Sequence, residues 1–383
     1  MVSRIRIGDL CAFQNGGTPS KEDPKFWNGT IPWISSADIA DGAVQRPRHF
    51  ITEAAVASSA VNVVDAGTVL LVTRVGVGKV AIAPTRLAFS QDITALTFGE
   101  NVDLRYISRF LASKAPHMNS LARGATIKGI TREVVADLQL DLPPLPEQQR
   151  IAAILDKADE IRKKRELAIS KLDQLAQSVF VEMFGDPAKE IVEGRYCEIR
   201  DYIESASYGT SEKASLTGTY PVLRMNNITS LGDLDLTNLK YMELDEDERD
   251  RYLVHRGDVL FNRTNSAELV GKTAVYDRDE PAAYAGYLIR LRVGENALPE
   301  FLSGFLNTPF AKKMLRSMCK SIIGMANINA QEIQNMRIPK ASIVAQRKYV
   351  RAIQAIQDQK ARQRASMSKN LELSAALKAA VFQ

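Results

Sequence analysis

The chain is written twice. Residues 138–184 laid on residues 336–382 keep one register throughout: Leu138 meets Met336, Leu145 meets Ile343, Gln148 meets Gln346, Arg150 meets Lys348, Leu175 meets Leu373, Val179 meets Leu377 and Phe184 meets Phe382. Upstream of each stretch the match continues with small insertions and deletions. GGTPSK (Gly16–Lys21) answers YGTSEK (Tyr208–Lys213), IPWISSADI (Ile31–Ile39) answers YPVLRMNNI (Tyr220–Ile228), and AGTVLLVTR answers RGDVLFNRT. A duplication of this size limits the fold to two related units, each a globular module followed by the repeated stretch. At 383 residues the chain is also too long for one ordinary core and ample for two.

The repeated stretch reads as a long helix. No Gly or Pro interrupts Glu147 to Phe184, and Gly185-Asp186-Pro187 then supplies a glycine cap and a proline that cannot continue a helix. About 38 helical residues would extend roughly 57 Å, more than the module they leave. Apolar residues recur near a 3.5-residue spacing at Ile151, Leu155, Ala158, Ile169, Leu172, Ala176, Val179 and Met183, like a coiled-coil seam. Both helices are polar at the middle, IRKKRE at 161–166 and QKARQR at 359–364. A helix lying on its own module is the alternative, but one that outruns its module needs a long partner, and the repeat provides one. Repeats related by a pseudo-two-fold axis would pack the two helices antiparallel, with the modules at opposite ends.

The expected fold class is therefore α+β: two repeated globular modules, residues 1–146 and 196–344, joined by long antiparallel helices at 147–185 and 345–383, with a linker at 186–195. TVLLVTRV, KVAIAP, DVLFNR, KTAVYD and LIRLRV read as short strands, while LRYISRFLAS and PEFLSGFLNTPFAKKML have helical spacing.

Composition removes several classes. Hydrophobic residues at 45% and charged residues at 25% are the balance of a water-soluble protein with real cores. The start MVSRIRIGDL lacks an apolar signal region, and no run approaches the ~18 apolar residues of a spanning helix, so the chain is expected to be cytoplasmic and without membrane partners. Cys11, Cys197 and Cys319 are odd in number and far apart, which suits neither a disulfide framework nor a zinc site. The net charge of +5 is concentrated at the end, where residues 345–383 hold eight Lys and Arg against two carboxylates. Neither module is a basic cloud, so nucleic-acid contact must come from local patches.

Candidate chemistry is sparse. SAELVGKT (Ser266–Thr273) is a phosphate-binding loop whose first glycine is replaced by serine, and VGVGKV in the first module lacks its spacing. A turn between strands, with its lysine aimed at phosphate, explains both. His49, His117 and His255 have no metal-ligand spacing, and LDEDERD (Leu244–Asp250) reads as a solvated helix end or loop. No nucleotide-binding or amino-methyltransferase motif is present, so no catalytic residue, metal ligand or cofactor is assigned to this chain.

LPPLPEQQRIAAILDKADEIRKKRE followed by LAQSVFVEMFGDP resembles the conserved region of the specificity (S) subunits of type I restriction-modification enzymes. GTVLLVTR and GDVLFNRT resemble a strand of their target-recognition domains. The similarity runs over nearly the whole chain; IPKASIVAQRKYV departs from the usual junction and leaves the start of the distal helix open. The resemblance implies a non-catalytic subunit of a restriction endonuclease and adenine methyltransferase complex. Each recognition domain would read one half of an asymmetric, gapped site in double-stranded DNA, and the helices would set the gap and dock two methyltransferase subunits. S-adenosylmethionine would bind those subunits, and ATP and magnesium the restriction (translocase) subunits that complete the complex.

Groove readout needs Arg, Lys, Asn or Gln on base edges, with Lys, Ser, Thr and amides on phosphates. The recurring loops offer Thr18, Lys21, Lys25, Arg74, Lys79, Thr126 and Lys128 in the first module. In the second they offer Thr210, Lys213, Arg224, Asn226, Arg263, Asn265, Lys272 and Asn327. Trp27 and Trp33 suit core or loop packing better than stacking on DNA. Arg162, Lys163, Lys164, Arg165, Lys360, Arg362 and Arg364 on the helices are candidate subunit contacts, or simply a solvated charged stripe. Two other classes stay open: a sequence-blind coiled-coil scaffold or adaptor, and a stand-alone DNA-modifying enzyme.

Overall fold

The computed structural model describes residues 3–124, 128–266, 269–322 and 325–382. They form two compact units, Met1–Lys164 with Met367–Gln383, and Arg165–Ser366. The central helix, Leu145–Phe184, and the distal helix, Ile343–Val381, each contribute to both units.

In the first unit an antiparallel sheet runs Cys11–Asn15, Ile93–Phe98, Val69–Val72, Val80–Ile82. A second runs His49–Ile51, Trp27–Ile34, Leu87–Phe89, Val63–Val64, with its middle pair parallel. The run VLLV is apolar at every position because both faces of the strand are covered. Val69 and Leu71 pack towards Tyr106 and Phe110 of the helix Leu104–Ser113, while Leu70 and Val72 pack between the sheets against Ile34 and Phe89. Asp103 starts that helix by accepting from the N–H groups of Arg105 and Tyr106, both at 3.0 Å.

The same core takes in both long helices. Ile151, Ala152 and Leu155 of the central helix are buried in it, together with Phe382 at the end of the distal helix. The Phe382 ring lies 5.3 Å from Tyr106 and 6.0 Å from Phe110, and Lys114 Nζ donates to the Phe382 carbonyl at 2.7 Å. Asn370 donates to the Ala158 carbonyl at 3.3 Å, so the two helical segments run antiparallel here.

The second unit repeats the plan. Its sheets run Ile203–Tyr208, Leu288–Val293, Val259–Asn262, Thr273–Val275, and Lys240–Met242, Tyr220–Leu223, Ala282–Tyr284, Leu253–Val254. Phe184, which aligns with Phe382, lies 4.9 Å from Phe301 and 5.4 Å from Tyr349. Arg165 donates to the Ser366 carbonyl at 2.8 Å and Lys360 meets Asp173 at 2.7 Å, so these segments are antiparallel as well. The PEFLSGFLNTPFAKKML run is two helices, Pro299–Leu306 and Pro309–Met318. Pro309 cannot continue the first, and Thr308 caps the second through the Ala311 N–H. The stretch 186–195 holds a short helix, Pro187–Val192, and LDEDERD opens another, Glu246–Tyr252, through a capping box of Asp245 and Glu248.

One buried glutamine fixes each helix start. Gln148 is 1% exposed and Gln346 fully buried. Gln148 accepts from Asp103 N–H at 2.8 Å and donates to the Asn101 and Pro143 carbonyls at 3.1 and 2.9 Å. Gln346 accepts from Leu298 N–H at 2.8 Å and donates to the Asn296 and Ala341 carbonyls at 3.2 and 3.0 Å. The junction that departs in sequence therefore keeps its working residue, and the distal helix starts at Ile343. Gln346→Leu would leave three backbone groups without this partner and is expected to cost about 2 kcal/mol, read from chemical unfolding of the full chain. A loss below about 0.5 kcal/mol would mean that water replaces the side chain.

The seam expected along the central helix is not uniform. Ile151 and Leu155 are buried in the first unit's core, and Val179 and Met183 pack on the second's. Its ends pack on the module cores instead of forming one continuous two-helix contact.

Candidate nucleic-acid interface

In the first module four loops are joined by hydrogen bonds. Gly17 N–H donates to the Phe89 carbonyl at 2.9 Å and Thr18 Oγ1 to Gln91 Oε1 at 2.5 Å. The N–H groups of Thr73 and Arg74 donate to the Asp92 carbonyl at 2.8 and 3.2 Å, and Arg74 bridges to Gly129. Gly17 has no room for a side chain, since a Cβ there would lie 2.2 Å from the Ala60 carbonyl oxygen. Thr18, Arg74 and Lys128 thus share one end of the module, with Arg74 and Lys128 exposed. Arg123 and Gln91 are exposed there too and were not legible in advance. Lys21 and Lys25 are exposed on the loop that follows Thr18. Thr126 lies outside the described residues.

The second module builds the same end from other side chains. Thr210 N–H donates to the Tyr284 carbonyl at 2.9 Å, Gly286 N–H to Thr210 at 2.7 Å and Arg263 N–H to Tyr287 at 3.0 Å. Thr264 and Asn265 pair with the strand Met325–Asn327. The Arg263 guanidinium lies 4.8 Å from the Tyr208 ring centroid, a cation–π contact that holds it in place. Asn226, Lys213 and Asn327 are exposed, and Asn265 and Arg263 half-buried. Tyr208 and Tyr287, 42% and 49% exposed, are additional aromatic surfaces at this end.

Several expected contacts are absorbed by the fold. Lys272 is buried and donates to the Met225 carbonyl at 2.6 Å and to Ile228. The aligned Lys79 keeps the same bond, Nζ to the Ser36 carbonyl at 3.4 Å, although its stem is exposed. Both lysines tie a strand to a 3-10 turn, so neither the phosphate-loop reading of SAELVGKT nor a phosphate role for Lys272 fits. Burial lowers the Lys272 pKa. It pulls Lys312 down to about 7, helped by the nearby charges of Lys272 and Arg316. Thr210 is buried and accepts from the Glu212 N–H at 3.1 Å. Arg224 donates to the Asn238 carbonyl at 2.8 Å. Trp27 and Trp33 pack edge-on at 5.6 Å, and their indole N–H groups hold the Ser20 and Gly17 carbonyls at 2.9 and 3.0 Å. They support the loop by packing, as expected.

The helix cations divide similarly. Lys360 is buried between Asp173 and Asp233, at 2.7 and 3.3 Å, and Arg364 reaches Asp233 at 3.0 Å. Lys360 and Arg165 therefore hold the second unit together rather than facing a partner. Lys164 pairs with Glu160 at 2.6 Å and Arg162 lies 3.8 Å from Asp159, while Lys163 and Arg362 are exposed. Sequence reasoning passed over the exposed apolar residues: Leu167 and Leu175 in the second unit, Ile154, Leu371 and Leu373 in the first. Their signal was present as apolar positions left over once the core-facing stripe is filled. Among the described residues no helix is long and apolar enough to cross a membrane.

Residues 2–171 match the family described as Type I restriction modification DNA specificity domain. The Escherichia coli type I restriction enzyme EcoR124I/EcoR124II specificity subunit is 32% identical over 40% of this chain and 40% of its own length. The EcoKI specificity subunit of Escherichia coli K12 is 25% identical over 62% and 55%. The chain thus matches about half the length, or less, of these curated relatives. Among solved structures, the type I restriction-modification S subunit from M. genitalium has a TM-score of 0.60 at 15% identity, covering 100% of this chain and 96% of that one. A chain from the type I R-M system, solved in work on its complex assembly, has a TM-score of 0.63 at 18% identity, covering 100% and 97%. At such identities these two likenesses speak for the fold.

Proposed function

We propose, from the match of residues 2–171 to the type I restriction modification DNA specificity domain, that the chain belongs to that family and is the non-catalytic DNA-reading subunit of a type I complex. Each module reads one half of an asymmetric, gapped site in double-stranded DNA. The observation that carries this reading is the pair of module ends built on one hydrogen-bonded plan but presenting different side chains. Arg74 and Lys128 mark the first, and Arg263, Asn265 and Asn327 the second. A shared frame with unlike contacts is what two half-sites of unlike sequence require.

The modules are residues 1–146 and 196–344, and the long helices set the separation of the half-sites. Exposed Lys163 and Arg362, with the leftover leucines, dock two methyltransferase subunits. Those subunits carry S-adenosylmethionine, and restriction subunits, where they join, carry ATP and magnesium. The complex works on cytoplasmic DNA.

Mapping methylated bases across the genome, with and without this gene and with the methyltransferase partner intact, tests the reading. Loss of methylation at one gapped, asymmetric motif is the expected result. An unchanged map, with the partner expressed and active, would favour a sequence-blind scaffold instead, and DNA modification by the purified chain alone would favour an enzyme.

A further inference from the structure

The loop between the strands Val69–Val72 and Val80–Ile82 holds a residue whose side chain suits its backbone poorly. Val75 has a φ of +52°, and a β-branched side chain in the left-handed region crowds its own backbone. The other non-glycine residues with positive φ among the described ones are Asn28 and Asp41, whose short polar side chains tolerate that region. Val75 is 54% exposed, so burial within the fold does not offset the strain. The glycines at 76 and 78 show that the loop accommodates glycine readily. Strained residues of this kind concentrate at sites that bind ligands.

The surroundings hold the loop in place. Thr73 and Arg74 both donate to the Asp92 carbonyl, Ile130 N–H donates to Thr73 at 2.9 Å, and Val75 N–H reaches the Lys128 carbonyl at 3.4 Å. At Gly129 a Cβ would sit 2.8 Å from Arg74 Cγ, so the two segments lie in close contact here. On the backbone segments bonded to this loop the exposed charges are Arg74, Arg123 and Lys128, with the half-buried Asp92 beside them. Val75 is an exposed apolar side chain on a loop fixed by backbone bonds, next in sequence to the exposed Arg74. At the aligned position the second module carries Asn265.

The major groove offers one apolar handle, the 5-methyl of thymine, which apolar side chains read, whereas Asn reads adenine. Building on the DNA-reading function above, we propose that Val75 is a specificity-determining residue that contacts a thymine methyl, while Arg74 and Lys128 seat the loop on flanking phosphates. The two modules then differ in base preference at one shared loop position, Val75 in one and Asn265 in the other.

The test uses the assembled methyltransferase complex and a duplex carrying its own methylated motif, with each thymine replaced in turn by deoxyuridine, which lacks only the methyl. One position should weaken binding about fourfold, the worth of one buried methyl group. Complexes carrying Val75→Gly should ignore that replacement, those carrying Val75→Ala should respond to it less than the parent, and the Val75→Gly methylation map should accept a second base there. Val75→Gly should also unfold no more easily than the parent, because glycine relieves the strain. A motif without thymine, a motif in which no replacement matters, or variants that respond like the parent would each overturn the role of Val75 while leaving the DNA-reading function standing. Absence of any gapped motif would remove both.

Discussion

Seven residues inserted after Ala168 of the central helix, matched by seven after Arg364 of the distal helix, are expected to lengthen the gap in the recognised site and leave both half-sites unchanged. Two turns of helix add about 10 Å, and duplex DNA rises about 3.4 Å per base pair, so the gap should grow by up to about three base pairs. The insertion points follow from the pairing of the helices. Arg165 with Ser366 lies on one side of them, and Lys360 with Asp173 and Arg364 with Asp233 on the other. Both sets survive, whereas an insertion in one helix alone would shear one of them. Methylation mapping of cells carrying the lengthened chain reads the result. An unchanged gap in an active complex would show that the helices do not set the spacing.

Lys360→Met is expected to cost about 3 kcal/mol of stability, the scale for stripping one partner from a buried ion pair. The Lys360 side chain is 7% exposed and that of Asp173 15%, so Asp173 would be left with little solvent in place of its cation. Asp233 keeps Arg364, which limits the damage on that side. Lys360→Met with Asp173→Leu should recover most of the loss, because an apolar pair of similar volume needs no desolvation of charge. Both tryptophans, Trp27 and Trp33, belong to the first unit. The lesion should therefore shift the unfolding transition seen by far-UV circular dichroism and leave the tryptophan fluorescence transition in place. Equal shifts in both, or a loss below about 1 kcal/mol, would count against a buried network confined to the second unit.

The loop joining Ile228 to Leu234 brings Asp233 to the helices, and Gly232 makes its turn with a φ of +88° where a Cβ would fall 2.5 Å from Asn307. The aligned part of the first module is a short hairpin, Ile39–Ala40 with Ala43–Val44. The first module uses other groups for the same purpose. Arg109 and Arg105 of the helix Leu104–Ser113 meet Asp156 at 2.8 and 3.2 Å. Each module is thus tied to a long helix by charge, with the carboxylate on the module in one case and on the helix in the other. Opposite placements reached from one duplicated plan explain why the sequence repeat is weak at these residues.

The repeat, the strands and the two long helices were legible in the sequence because each depends on local pattern. A fully apolar VLLV marks a strand covered on both faces, and an uninterrupted run ending in Gly-Asp-Pro marks a helix and its stop. Even Gln148 and Gln346 stood out as an aligned pair, although their three backbone bonds did not. What only the tertiary structure decided was the use of each polar side chain. Lys272 and Lys360 look like surface cations in sequence, but strands and helices far apart in the chain close over them and supply carbonyls or carboxylates. Val75 looks like one more strand valine, and its left-handed backbone is set by pairing with Lys128 and Gly129, more than fifty residues away. Periodicity reports which face of an element is buried. Whether a charge is buried, and what it meets there, depends on which distant segments pack against it.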